Sequence, residues 1–222
     1  MGCKTCGEPV AIPFLSLYRR CYAGLEASGN KSLKVTWLMA VAVAESAGTA
    51  FGMKQSDSIQ ANGVRLATMT GLDKDHFLYL VQIKEAINKG LVPKFRFESS
   101  WYDCLKRDTG YSHYSEYQQA AFACSWGLGQ KSGYYLTRLS PSADKWPLLR
   151  HFMLDETMQI WQIAADLSEI EQQDPGKAGL RFTRYNAGPA AKEINSYGLR
   201  VASLAADLEK QLTQKGFKVC LE

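Results

Sequence analysis

Apolar side chains first recur at three- and four-residue spacing over Phe14, Leu15, Leu17, Tyr18, Tyr22 and Leu25, directly after Pro13. That spacing lines one face of a helix, and proline suits a first helical turn, so a helix is predicted up to about Gly29. Ser32 is placed to cap a second helix. There Leu33, Val35, Trp37, Leu38, Val41 and Ala44 leave almost no polar face, which predicts a buried central helix that stops at Ala47-Gly48.

From Gly48 to about Gly71 the chain turns to Gly, Ser, Asn, Gln and Thr, the composition of irregular surface structure or a short hairpin. Asp73 then caps a helix through Phe77, Leu80, Val81 and Ile87, closed by Lys89-Gly90. Residues 94–98 alternate charge with Phe95 and Phe97 after Pro93, a strand-like pentad. Helical patterns return around residues 114–124, 147–170 and 190–214. The predicted fold class is therefore mainly α, with at most a small β element near residues 50–70 and 94–98. No internal repeat or low-complexity linker interrupts it.

A chain of 222 residues, 46% of them hydrophobic, can bury one sizeable core. The reading is a short extension over residues 1–12 and a single domain over 13–222. The net charge of +4 is too small for a dedicated nucleic-acid binder, so no nucleic-acid partner is expected. The longest mostly apolar run, Val35 to Ala44, is far shorter than the roughly 18 to 20 residues of a membrane span. The N-terminus carries no apolar stretch of the kind a secretory signal peptide needs, so export would use another route.

Six cysteines are present, and reduced, buried thiols are the default in a chain too large to need disulfide staples. Cys3 and Cys6 form a CxxC, half of a zinc site or a redox pair. No second CxxC supplies further ligands at a recognisable spacing, so they are weak metal candidates and no cofactor is expected. His76, His113 and His151 are scattered without metal-ligand spacing or a nucleophile motif nearby.

Glu45 stands out on chemistry alone, because it sits at the C-terminal end of the most apolar helical segment. Partial desolvation there disfavours the charged carboxylate and raises its pKa, which is what a general acid near neutral pH requires. Protonating the leaving oxygen of a glycosidic bond is one reaction that needs such a group. A glutamate that emerges into solvent as its helix ends is the plainer alternative at this point.

Three segments occur in order along the chain: Glu45-Ser46-Ala47-Gly48, Ser125-Trp126-Gly127-Leu128-Gly129-Gln130 and Arg184-Tyr185-Asn186-Ala187-Gly188-Pro189. Together they resemble the lytic transglycosylases and the related goose-type lysozymes, which carry a Glu-Ser at the end of a buried helix, a Gly-Leu-Met-Gln turn and an Ala-Tyr-Asn-Ala-Gly segment. Gly129 replaces the usual Met, while Tyr185 to Gly188 match without a gap. The stretch from Leu154 to Leu167 and that from Tyr197 to Leu204 are similar to the helices before and after the Tyr-Asn motif. A long insertion, at about 49–120, departs from the pattern. Inside it, Pro93 to Glu98 followed by Trp101-Tyr102 resembles a segment of the N-acetylmuramidase domains of phage lysins.

The resemblance implies a lysozyme-like, mainly α fold and an enzyme that cleaves the β-1,4 bond between N-acetylmuramic acid and N-acetylglucosamine in peptidoglycan, with Glu45 as the catalytic acid. A transglycosylase manages with one carboxyl; a hydrolase also has to activate water, with a second carboxyl roughly 5 Å away for retention or about 6.5 to 9.5 Å for inversion. Glu98 is the leading second carboxyl, ahead of Asp57, Asp103 and Asp108. Tyr185 would orient Glu45, and Asn186 would meet polar groups of the sugar. Ser46, Ser125, Gln130 and Trp126 would complete the groove, and Trp101, Tyr134 and Tyr135 are further stacking candidates. The expected partners are glycan strands and other phage virion proteins, with the protein a virion-associated lysin or an endolysin. A structural tail or ejection protein with an inactive lysozyme-like fold is the competing expectation.

Overall fold

The computed structural model describes residues 14–46 and 104–221, apart from 116–117, 120–121, 124, 139, 142–143 and 174. Its described part is mainly helical. Two compact units emerge, one of Ile12–Gly48 with Thr157–Glu222, the other of Met1–Ala11 with Thr49–Glu156, where the sequence reading has one domain from residue 13 onward. The predicted helix after Asp73 and the strand at 94–98 lie outside the described residues, as do Cys3, Cys6 and Glu98. No helix of the described residues is long and apolar enough to cross a membrane.

The first unit opens with α1 (Phe14–Ser28) and α2 (Val35–Ser46). Leu17, Tyr18, Cys21 and Leu25 form the buried stripe of α1. Its end is set by Gly29, whose φ of 63° belongs to the left-handed region that glycine enters without strain. In α2 every residue from Leu38 to Ala42 is buried, as expected of a helix that is apolar all round. Ser32 does not cap it. The Asn30 carboxamide oxygen instead accepts from both the backbone N–H and the hydroxyl of Ser32, and α2 starts three residues later. Lys34, just before the helix, forms an antiparallel bridge with Cys220, and the Val35 N–H donates to the Val219 carbonyl at 2.8 Å. The C-terminal segment therefore fixes where α2 begins.

The pattern at 147–170 resolves into two helices, α4 (Trp146–Leu154) and α5 (Glu156–Gln173), because Asp155 between them is extended. Only α5 belongs almost wholly to the first unit, burying Ile160, Ile163, Leu167 and Ile170. Next comes α6 (Ala178–Ala187), which the spacing of apolar residues did not announce. The final helix, α7 (Ser196–Gln214), starts six residues later than the pattern at 190–214 suggests, since Asn195 caps it. Val201, Ala205, Leu208 and Leu212 give α7 its buried stripe against α2 and α6.

In the second unit a two-stranded antiparallel hairpin pairs β1 (Ser125–Trp126) with β2 (Lys131–Ser132). Ser132 then caps the short α3 (Gly133–Thr137). Tyr111 is fully buried there, its hydroxyl 2.7 Å from the Thr137 hydroxyl and its ring edge-on to Phe122. Lys145 is also buried, but its ammonium donates to the carbonyls of Thr137 and Ser140 and lies over the Tyr111 ring.

Candidate active site

Glu45 sits in the last turn of α2, half-buried, with the apolar body of that helix behind it. Tyr197 reaches it from α7, its hydroxyl donating to Glu45 Oε1 at 2.5 Å. That length is at the short end of the range for an O–H···O bond. Burial first, then the charge and hydrogen bond of Glu45, push the Tyr197 hydroxyl far above the ordinary phenol range. Tyr197 is accordingly a neutral donor at any physiological pH.

Tyr197 is held by the packing of α6 against α7. Asn195 caps α7 by accepting from the Gly198 N–H at 2.8 Å, and its own N–H donates to the Thr183 hydroxyl at 3.1 Å. Thr183 on α6 in turn donates to the Gly179 carbonyl at 2.9 Å. Gly198 is buried at this crossing, where a β-carbon would overlap both the Thr183 hydroxyl and the Gly179 carbonyl. The absence of a side chain at 198 is what lets the first turn of α7 sit so close to α6, with Tyr197 beside it directed to Glu45.

A buried ion pair braces the same unit. Arg181 on α6 is 4% exposed, its Nε donates to Glu171 Oε2 of α5 at 2.6 Å, and its guanidinium lies 3.7 Å over the ring of Trp37 in α2. One planar cation thus ties α5, α6 and α2 together, through a carboxylate on one side and an aromatic face on another.

Of the residues expected to serve Glu45, Tyr185 is buried on α6 and Asn186, next to it, is exposed, both in the unit that holds Glu45. Ser46 closes α2, with its side chain outside the described residues. Ser125, Trp126 and Gln130 belong to the other unit, on the hairpin. There Gly127 has a φ of 76°, and Gln130, itself at φ 50°, folds its carboxamide back to donate to the Gly127 carbonyl at 3.1 Å. Glycine at 127 is thus required by the turn. Trp126 is 1% exposed and is a core side chain, so it presents no ring face for a sugar, contrary to the expected groove role. Tyr134 is half-buried and donates its hydroxyl to Asp108 at 3.1 Å.

Tyr197 was not among the candidates read from the sequence. The signal that locates it is the Asn195-Ser196 pair ahead of the stripe Val201, Ala205, Leu208 and Leu212, which marks a helix start with Tyr197 in its first turn. Among the described residues no group of three or more His, Cys, Asp and Glu side chains could hold a metal ion. Cys21 is buried and Cys220 is exposed, so the expectation of buried thiols fails at the latter. Compared with family models, curated proteins and solved structures, the chain matches none.

Proposed function

We propose that the protein cleaves the glycan strands of peptidoglycan, with Glu45 as the acid that protonates the glycosidic oxygen. The observation that carries this reading is the carboxyl of Glu45 at the end of a buried helix, fixed by a hydroxyl that stays protonated. The ordered motifs around Glu45, Gln130 and Tyr185 support it through their resemblance to the lytic transglycosylases, as does the mainly helical fold, here read as lysozyme-like.

In the one-carboxyl route Glu45 gives its proton to the oxygen that joins N-acetylmuramic acid to N-acetylglucosamine, and the bond to the muramic anomeric carbon breaks. The resulting carboxylate then takes the proton of the same sugar's 6-hydroxyl as that oxygen attacks the anomeric carbon. An anhydro end forms and no water is consumed. Tyr197 donates to one carboxyl oxygen and so fixes the orientation of the group that transfers the proton. In the hydrolytic route water replaces the 6-hydroxyl, and a second carboxylate, Glu98 first, takes the proton of the attacking water. The biological setting that the resemblance implies is a phage lysin acting on the bacterial wall.

Digestion of purified peptidoglycan by wild type and by Glu45→Gln, read by mass spectrometry of the released muropeptides, tests this. Anhydro ends released by wild type and absent with Glu45→Gln are the result of the one-carboxyl route; reducing muramic ends assign the hydrolytic one. Equal release by both proteins, or none by either on several wall types, overturns the proposal.

A further inference from the structure

The unit that holds Glu45 also carries a groove of about 270 Å³ between the end of α1 and one face of α5, lined by Ser28, Asn30, Trp161, Ser168, Glu169 and Gln172. Trp161 is 42% exposed, one of the few large apolar side chains left in solvent among the described residues. Its neighbours explain the shape. Trp161, Ala165, Ser168 and Gln172 recur at intervals of four, three and four and so share one face of α5, while Ile160, Ile163, Leu167 and Ile170 bury another. Alanines at 164 and 165 form a low floor, leaving the indole standing above it.

The opposite rim is fixed. Gly29 turns the chain in the left-handed region, Ser28 donates to the Leu25 carbonyl at 2.6 Å, and Asn30 donates its carboxamide N–H to the Ser168 hydroxyl. The result is an exposed indole face beside two serine hydroxyls, the Gln172 carboxamide and the Glu169 carboxylate, with Asn30 bracing the rim. A pyranose ring needs this combination, because it has an apolar face of C–H groups and a rim of hydroxyls that both donate and accept. The volume lies just below the usual range for ligand sites and suits one sugar residue rather than a long segment. A protein partner docking on Trp161 would leave those polar groups facing its apolar contact, at a desolvation cost.

We propose that this groove is a saccharide-binding site, separate from Glu45, that takes one N-acetylhexosamine unit with its apolar face on Trp161 and its hydroxyl and acetamido groups on Glu169 and Gln172. The choice of an amino sugar rests on the proposed peptidoglycan substrate; the groove itself does not. It would hold a glycan strand without cleaving it.

Calorimetric titration of the full chain with the β-1,4-linked tetramer of N-acetylglucosamine tests it, with wild type, Glu45→Gln, Trp161→Ala and Gln172→Ala compared, each checked for native helical circular dichroism. The expected result is binding by wild type and Glu45→Gln alike, weakened about tenfold or more by Trp161→Ala, the size of a lost central aromatic contact. Gln172→Ala weakens it less, with the indole still in place. Binding that survives Trp161→Ala and Gln172→Ala unchanged overturns the site. So does an absence of binding, and if peptidoglycan is nevertheless cleaved, the Glu45 reading stands while the groove fails. Binding that Trp161→Ala weakens, with no cleavage of peptidoglycan by wild type, upholds the groove and removes the Glu45 reading.

Discussion

Tyr197 and Glu45 lie 152 residues apart in the chain and meet through a single hydrogen bond of 2.5 Å. If that bond orients a catalytic carboxyl, Tyr197→Phe keeps the ring and removes only the donor. The donor favours the carboxylate form of its partner, so its loss makes the carboxylate less favourable and the carboxyl holds its proton to higher pH. We expect kcat on peptidoglycan to fall about tenfold to a hundredfold, with the limb of the pH profile that reports loss of the acid displaced to more alkaline pH. An unchanged profile would make Tyr197 a packing residue.

Gly198 tests how that hydroxyl is held. A methyl group at 198 meets the Gly179 carbonyl and the Thr183 hydroxyl, and backbone cannot swing away as a flexible side chain can. Gly198→Ala should cost about 3 kcal/mol of stability and displace the first turn of α7. Urea denaturation measures the first effect. Activity per folded molecule measures the second, and should fall well beyond the loss of folded fraction. Wild-type stability in the variant would mean that α6 and α7 are not in such close contact.

α1 and α7 were legible because burying one stripe imposes a helical spacing on the sequence, and α2 because a helix buried all round leaves a run with almost no polar face. α6 was not. Its buried set includes Arg181 and Thr183 with Leu180, Phe182 and Tyr185, and a polar side chain satisfied by a distant carboxylate or cap looks, in sequence, like one facing water. The start of α2 was misread for a related reason. Lys34 is engaged by Cys220 of the C-terminal segment and by Glu209 of α7, contacts with no local signal. At the candidate site, chemistry and position pointed to Glu45, whereas its partner hydroxyl depends on how α2 and α7 pack. Trp126 shows the converse error, since an aromatic in a resembling motif carries no mark that separates a sugar platform from a core side chain.

Arg181 and Glu171 are both strongly shielded from solvent, so removing either leaves the other charge poorly solvated. Glu171→Gln and Arg181→Ala should each lower the unfolding free energy by about 3 to 5 kcal/mol. Arg181→Lys keeps the charge but forfeits the planar contact with Trp37, and should recover less than half of that loss. The check is the urea midpoint of each variant at constant slope. A loss below about 1 kcal/mol would place the pair with ordinary surface bridges.

Alkaline pH probes the tyrosines. Burial raises the hydroxyls of Tyr197 and Tyr111 well above the ordinary phenol range, whereas in the unfolded chain they ionise near pH 10. Below about pH 10 both states hold these protons and the stabilisation is fully present; above it the unfolded state releases them first, so stability falls as pH rises. Each tyrosine held neutral in the fold contributes a slope of up to about 1.4 kcal/mol per pH unit. Urea midpoints measured at about pH 9 and again near pH 11 should drop steeply for wild type, and less steeply for Tyr111→Phe and Tyr197→Phe, which have no proton to lose. Tyr111→Phe also strips the Thr137 hydroxyl of a buried partner and so starts from a lower midpoint, which makes the slope rather than the absolute value the diagnostic quantity. Equal slopes in wild type and both variants would mean that these hydroxyls ionise in the folded protein as readily as in the unfolded chain.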